Sequence, residues 1–381
     1  MKALVHIGSP KAGSSSIQDF LHLNTDHLAA QGFRFHRNVR DRGSQFEYPM
    51  AAMARAGVLL RNETERARYE ARTLDEARAG SEKFAAELKT FANRWPEPVA
   101  IFSSEHILPW LSTPTLVSTM DEMFTSAFSE VRYIVYFRSP SDTIVSQYSE
   151  RIKRGYSFTL DEFIERRLKG LDIFRPARRW ANTVGRNRLD VRLFDRGTLK
   201  DGDLVADFAE ACGFDPAGME TPPIVNEGLS APAAECLRVL NSMVPEIRPD
   251  GSANPLRANI LDTVAELSRE MPRLVLNSRQ KQRVDAYMSE SNEKFRRWFF
   301  HGRRPLFPER TDLPQALSQA ELSDLALEIM AKLLIQSRMG QLAPLNLLDR
   351  HRALITERTD ADDMSANDTA TPKQIAGTRT H

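Results

Sequence analysis

Between Gly8 and Gln18 the chain reads Gly8-Ser9-Pro10-Lys11-Ala12-Gly13-Ser14-Ser15-Ser16-Ile17-Gln18. Glycine lets a backbone turn tightly and approach a ligand closely. Ser14, Ser15 and Ser16 bring amides and hydroxyls, and Lys11 adds a full positive charge between the two glycines. This residue set makes an anion cradle at a helix N-terminus. An ordinary Gly/Ser turn after a strand needs neither the lysine nor three consecutive serines.

Two further clusters could share that chemistry. Arg138 follows the apolar run ending Tyr136-Phe137, and Ser146 comes two helical turns later. An arginine fork matches a phosphate in bidentate fashion, and a serine hydroxyl adds a contact. Taken alone, the pair also reads as a helix cap beside a surface arginine. Ser103-Ser104-Glu105-His106 places a carboxylate and an imidazole after another apolar run. The carboxylate is a candidate general base, and one or both residues could instead cap the next segment.

The elements that must position these residues alternate between strand and helix. Residues 3–8 read as a short buried strand. From Ser14 a helical pattern sets Ile17, Phe20, Leu21 and Leu28 on one face, with Gly32 as its stop. Further strands are expected at 99–102, 131–137 and 189–194. The run Val131–Phe137 is apolar except for Arg132, as suits a central parallel strand. Helices are expected at 115–128, from Pro140 with Ser139 as N-cap and Asp142 completing a capping pattern, at 176–185, and at 203–212 ending at Gly213. Residues 62–94 read as one solvated helix or a pair, and 34–60 carry no clear period. Beyond 226 the pattern is helical with proline breaks, and 356–381 read as a disordered tail. The fold class is therefore α/β, a central parallel sheet flanked by helices, with a mainly helical C-terminal part. Ligands of such sheets sit at the carboxyl ends of the strands, where the Gly8 loop, Glu105 and Arg138 all fall.

Composition narrows the function. The 381 residues are 41% apolar with a formal net charge of +1, which does not describe a general nucleic-acid or membrane binder. An anion site must be built locally. The two cysteines, Cys212 and Cys236, suit a reducing compartment. Neither has a CxxC neighbour, and no metal-ligand spacing appears. The apolar N-terminal run is too short for a signal peptide, and nothing approaches the ~20 apolar residues of a membrane helix. A cytoplasmic location is expected.

The first motif resembles the 5′-phosphosulfate loop of PAPS (3′-phosphoadenosine 5′-phosphosulfate)-dependent sulfotransferases, close to G-x-P-K-x-G-T-T-x-L-Q. Gly8, Pro10, Lys11, Gly13 and Gln18 are in register. Ser14 and Ser15 stand where threonines are usual and Ile17 where leucine is, so the hydroxyls and the apolar position survive. Arg138 and Ser146, with a proline between, resemble the family's 3′-phosphate site. Glu105 resembles the base of the carbohydrate-sulfotransferase branch, and His106 the small-molecule alternative. Arg192-Leu193-Phe194-Asp195 with Asp203–Gly213, and Asn226-Glu227-Gly228-Leu229-Ser230, look like further family stretches. The small-molecule C-terminal pattern G-x-x-G-x-W-K is absent, and Gly302-Arg303-Arg304 is either its substitute or a solvated basic loop.

The resemblance implies a P-loop-like sulfotransferase fold in a single domain over 1–355. Its PAPS-binding core would be about 1–30 and 95–225, with acceptor-side helical regions about 34–94 and 226–355. It implies PAPS as sulfuryl donor and no metal. Gly8, Pro10, Lys11, Ala12, Gly13, Ser14, Ser15, Ser16, Arg138 and Ser146 would bind the nucleotide, with Lys11, Glu105 and His106 as catalytic candidates. The acceptor would be a hydroxyl or amine on a carbohydrate or glycolipid. Two other readings stay open: a nucleotide kinase, although such enzymes place the loop lysine directly after the second glycine, and a protein that binds a nucleotide or glycan without turnover.

Overall fold

A computed structural model describes residues 1–37, 45–222, 228–245, 247–248, 252, 254–308 and 314–339. The tail expected at 356–381, and Asn226 and Glu227, lie outside the described residues. Five strands form one sheet in the order β2-β3-β1-β4-β5. They are β1 (Lys2–His6), β2 (Phe33–Phe35), β3 (Val99–Ser103), β4 (Val131–Phe137) and β5 (Leu189–Leu193), and every pairing is parallel. Register sets His6 opposite Ser103 on one side and Ile134 on the other.

Alternation of side chains along each strand gives the sheet two apolar faces. Leu4, Ile101, Ile134 and Tyr136 pack with Ile17, Phe20 and Leu21 of helix α1 (Ser14–Leu23) and with Phe208. Val5, Phe102, Tyr133, Val135 and Phe137 pack on the opposite face with Met120, Phe124 and Trp180. Because both faces are covered, the strands read as nearly unbroken apolar runs.

Several element ends differ from the sequence reading, each for a local reason. β1 stops at His6, because Gly8 turns into a left-handed conformation. The helical stretch from Ser14 divides at buried Asn24, whose amide donates to Phe20 O and to Glu220 O instead of leaving the i→i+4 ladder undisturbed. Residues 62–94 are a pair, Glu63–Arg68 and Leu74–Arg94, the second opened by a Thr73/Glu76 capping box. The short edge strand β2 lies in the stretch that has no readable period. A buried carboxylate ties β4 and β5 to the helix Leu204–Cys212: Asp207 accepts from Tyr136 OH at 2.7 Å, Arg192 Nε at 2.8 Å and the Lys200 amide at 3.0 Å.

The chain divides into two compact units, the first comprising Met1–Tyr148, Asp161–Glu227 and Leu276–Leu313. It contains the sheet. The second comprises Ser149–Leu160, Gly228–Val275 and Pro314–His381. Its described helices are Ala231–Asn241, Pro255–Leu267 and Gln319–Met339. Within it, buried Arg257 donates to the carbonyls of Ile152 and Lys153 at 3.0 and 3.1 Å. A cation at the carbonyl end of a helix is favourably placed. Cys212 and Cys236 are free thiols. Among the described residues no helix is long and apolar enough to cross a membrane.

Two histidines at the carboxyl ends of strands carry a pH signature. Burial holds the His6 imidazole near a pKa of about 4, with the Glu105 carboxylate pulling the other way. Burial likewise lowers His36 to about 4, opposed by a backbone hydrogen bond. Above about pH 6.5 both are neutral whether folded or not, so their contribution to stability is whole. Between about 6.5 and 4 the unfolded chain takes up protons that the fold refuses, and stability falls. Lowering the pH from about 7 to about 5 is expected to remove roughly 2 kcal/mol per histidine, read as a lower urea midpoint. An unchanged midpoint contradicts the assignment.

Candidate active site

The segment after β1 is built on three left-handed positions, Gly8 (φ +59°), Lys11 (φ +63°) and Gly13 (φ +82°). Lysine seldom adopts that conformation, so the turn itself constrains the backbone from which the Lys11 side chain leaves. The Ala12 amide closes the loop on Ser9 O at 3.2 Å. Gly13 is the N-cap of α1 and supplies no side-chain cap, and the first turn has no acidic residue. The first intrahelical bond is Ile17 N to Gly13 O at 3.1 Å, so the amides of Ser14, Ser15 and Ser16 have no intrahelical acceptor. Ser14 is buried, and its Oγ has no hydrogen-bond partner. Pro10, Ser15 and Ser16 are exposed, Lys11 and Gly13 are half-buried, and Ala12 is buried against the core. The amides of this terminus, with Lys11 beside them, fit an anion such as a phosphate.

Both glycines have positive φ, and Gly8 is also required by space because the atoms against it are backbone. A Cβ on Gly8 would stand 2.4 Å from Glu105 Cα and 2.7 Å from Ser104 O, and one on Gly13 would stand 2.3 Å from Leu204 Cδ2. The Gly8 contact brings the start of the loop against the residue that follows β3. Glu105 is therefore adjacent to the cradle through backbone packing.

Arg138 leaves the end of β4, the strand beside β1. Its Nη1 approaches Lys11 O at 3.4 Å, and its guanidinium carbon lies 5.6 Å from the Phe194 ring centroid. Arg138 is thus brought to the loop. Ser139 accepts from the Asp142 amide at 3.1 Å, as the capping pattern predicts. Ser146 is half-buried on the helix Pro140–Lys153, and its hydroxyl is not joined to Arg138.

His106 Nε2 lies 3.3 Å from Glu105 Oε1, without hydrogen-bond alignment. The imidazole is stacked against Phe46 at 4.2 Å and tilted against Trp110 at 4.7 Å. His106 occupies the N-cap position of Ile107–Trp110 but does not cap it with its side chain. The Glu105 side chain is 45% exposed against 19% for His106, so the carboxylate is the more open of the two to an acceptor.

Other sequence candidates are engaged elsewhere. Arg192 is bound to Asp207. Arg303 Nε donates to Leu306 O at 3.2 Å, and Arg304 lies 3.8 Å from Glu293, so the arginines of Gly302-Arg303-Arg304 bond locally. Ser230 caps the helix Ala231–Asn241 by accepting the Ala233 amide. Sequence reasoning passed over His6, and it named Ser103 and Gln18 only as motif members without a supporting role. His6 Nδ1 lies 2.9 Å from Ser103 Oγ, and Gln18 Nε2 donates to Ser103 O at 3.2 Å. The available signal was a lone histidine inside an apolar strand. Among the described residues no group of three or more His, Cys, Asp or Glu side chains is arranged to hold a metal.

No protein-family model and no curated protein matches this chain. Among solved structures it is similar to a sulfotransferase from Alicyclobacillus acidocaldarius, at 12% identity and a TM-score of 0.41, over 80% of this chain and 97% of that one.

The crowding at Gly8 is testable against Gly213, which has φ +90° but nothing within 4 Å of an added Cβ. Gly213→Ala is expected to cost about 1 kcal/mol, the conformational term alone. Gly8→Ala adds a backbone clash and is expected to cost at least about twice that. Urea unfolding of both variants measures the difference, and equal costs contradict the close approach.

Proposed function

We propose that this chain is a PAPS-dependent sulfotransferase that moves a sulfuryl group to a hydroxyl or amine of a carbohydrate or glycolipid. One observation carries the reading: an uncapped helix N-terminus, with the buried Ser14 hydroxyl unpartnered, sits on a lysine-bearing loop whose first glycine packs on Glu105. A candidate phosphate site and a candidate base thus meet where two neighbouring strands end. The departures from the kinase pattern, Lys11 between the glycines and Arg138 beside the loop, support a sulfuryl donor over ATP.

In the proposed reaction Glu105 accepts the proton of the acceptor hydroxyl as its oxygen bonds to sulfur. The bond from sulfur to the 5′-phosphate oxygen breaks, and PAP (3′-phosphoadenosine 5′-phosphate) leaves. Lys11 and the Ser14–Ser16 amides stabilise the charge that grows on that phosphate. Such a loose transfer depends on positioning and on charge stabilisation. Arg138 and Ser146 are assigned to the 3′-phosphate. The absence of the small-molecule C-terminal pattern and the openness of Glu105 support a carbohydrate or glycolipid acceptor.

Turnover of labelled PAPS against a panel of glycan acceptors tests the reading. Arg138→Ala is expected to weaken PAP binding by roughly 2–3 kcal/mol, and unchanged affinity in the folded variant moves the 3′-phosphate site elsewhere. Lys11→Ala should lower kcat more than PAP affinity, because its contribution grows as the leaving group forms. Glu105→Gln should lose about 10²–10⁴-fold in rate while PAP affinity stays close to wild type, and His106→Ala should be milder. If His106→Ala abolishes turnover and Glu105→Gln does not, His106 is the base.

A further inference from the structure

We propose that His6 is a positioning residue for Glu105, acting through Ser103, so that its bond to Ser103 sets the distance between the base and the phosphate loop. The inference rests on the reading of Glu105 as base. His6 is 1% exposed at the end of β1. Its ring stands edge-on to Tyr136 and Phe208, with centroids 6.1 and 5.7 Å away. Nε2 finds no hydrogen-bond partner in this apolar setting. A buried, unsatisfied nitrogen costs the fold free energy, so a leucine of similar size would serve packing better. What histidine adds is the 2.9 Å bond from Nδ1 to Ser103 Oγ.

Two more links converge on the same two residues, and a third lies beside them. The Ser103 carbonyl accepts Gln18 Nε2 from α1 at 3.2 Å. The Ser104 amide donates to His6 O at 3.1 Å, and the Leu108 amide donates to Ile7 O at 2.9 Å. The segment 103–108 is therefore pinned to β1 and α1 on both sides of Glu105. Of these links, only the His6–Ser103 bond is side chain to side chain. Gly8 then rests directly on Glu105. A slip at Ser103 would move the carboxylate away from the cradle without removing any phosphate contact. Misplacement of a reacting group by about 1 Å costs on the order of 10²-fold.

His6→Leu removes the bond and the unsatisfied nitrogen together, while His6→Asn keeps a side-chain group able to bond Ser103. The expected result for His6→Leu is a kcat lowered by about 10- to 100-fold, with PAP affinity and acceptor KM within about threefold of wild type. His6→Asn should recover much of the lost kcat. Amide hydrogen exchange in the same proteins should quicken by about tenfold or more at Ser104 and Leu108 in His6→Leu, while β4 stays protected. Unchanged kcat, or PAP affinity falling in step with kcat, overturns the proposal, as does unchanged exchange. If His6→Leu does not fold, Ser103→Ala must give the same kcat loss and exchange change or the proposal fails. Absence of turnover in the wild type overturns the sulfotransferase reading, and the exchange comparison still decides whether His6 fixes the end of β3.

Discussion

At Gly8 and Glu105 two strand ends approach so closely that a single methyl group would overlap backbone, 2.4 Å from Cα. That constraint couples everything at the site. β1 and β3 are neighbouring parallel strands, so their carboxyl ends emerge side by side. A glycine at the first turn lets them stay together past the sheet edge. The loop then passes directly into α1 at Gly13, which is itself crowded by Leu204 and Phe194. Main-chain contact at Gly8 brings the candidate base and the anion cradle together, and the His6–Ser103 bond lies at the same pair of strand ends.

Electrostatics follow from that geometry. The chain as a whole is nearly neutral, so attraction for an anion must come from local groups. Helix α1 contributes its unpaired amides, and no acidic side chain in its first turn opposes them. Lys11 and Arg138 both stand at this terminus, joined through the Lys11 carbonyl. The Ser14 hydroxyl, buried without a hydrogen bond, adds a polar group at the same terminus.

Much of this was legible in the chain because the relevant signals are local. Val131–Phe137 matches β4 end to end, since a central strand covered on both faces is apolar at every position but exposed Arg132. The Ser139 cap and the Gly213 stop are set by neighbouring residues, and the structure has both. What escaped depends on distant partners. Asn24 interrupts a helix because Glu220 offers its carbonyl and amide from far along the chain. β2 is three residues long and gains its strand character from pairing with β3. Ser103 looked like part of a polar strand end, and its role appears only when His6 and Gln18 are seen to meet on it. The stacking of Phe46 on the His106 ring likewise joins residues far apart in the chain.

The central proposal is that this site holds a nucleotide carrying phosphate at both the 5′ and 3′ positions, and calorimetric titration of the wild-type chain with PAP and with ADP tests it most directly. PAP carries the 3′-phosphate that ADP lacks. The account predicts that PAP binds more tightly by at least about tenfold, a difference of about 1.4 kcal/mol, and without added metal. Equal affinity for the two nucleotides, or tighter binding of ADP, would contradict it.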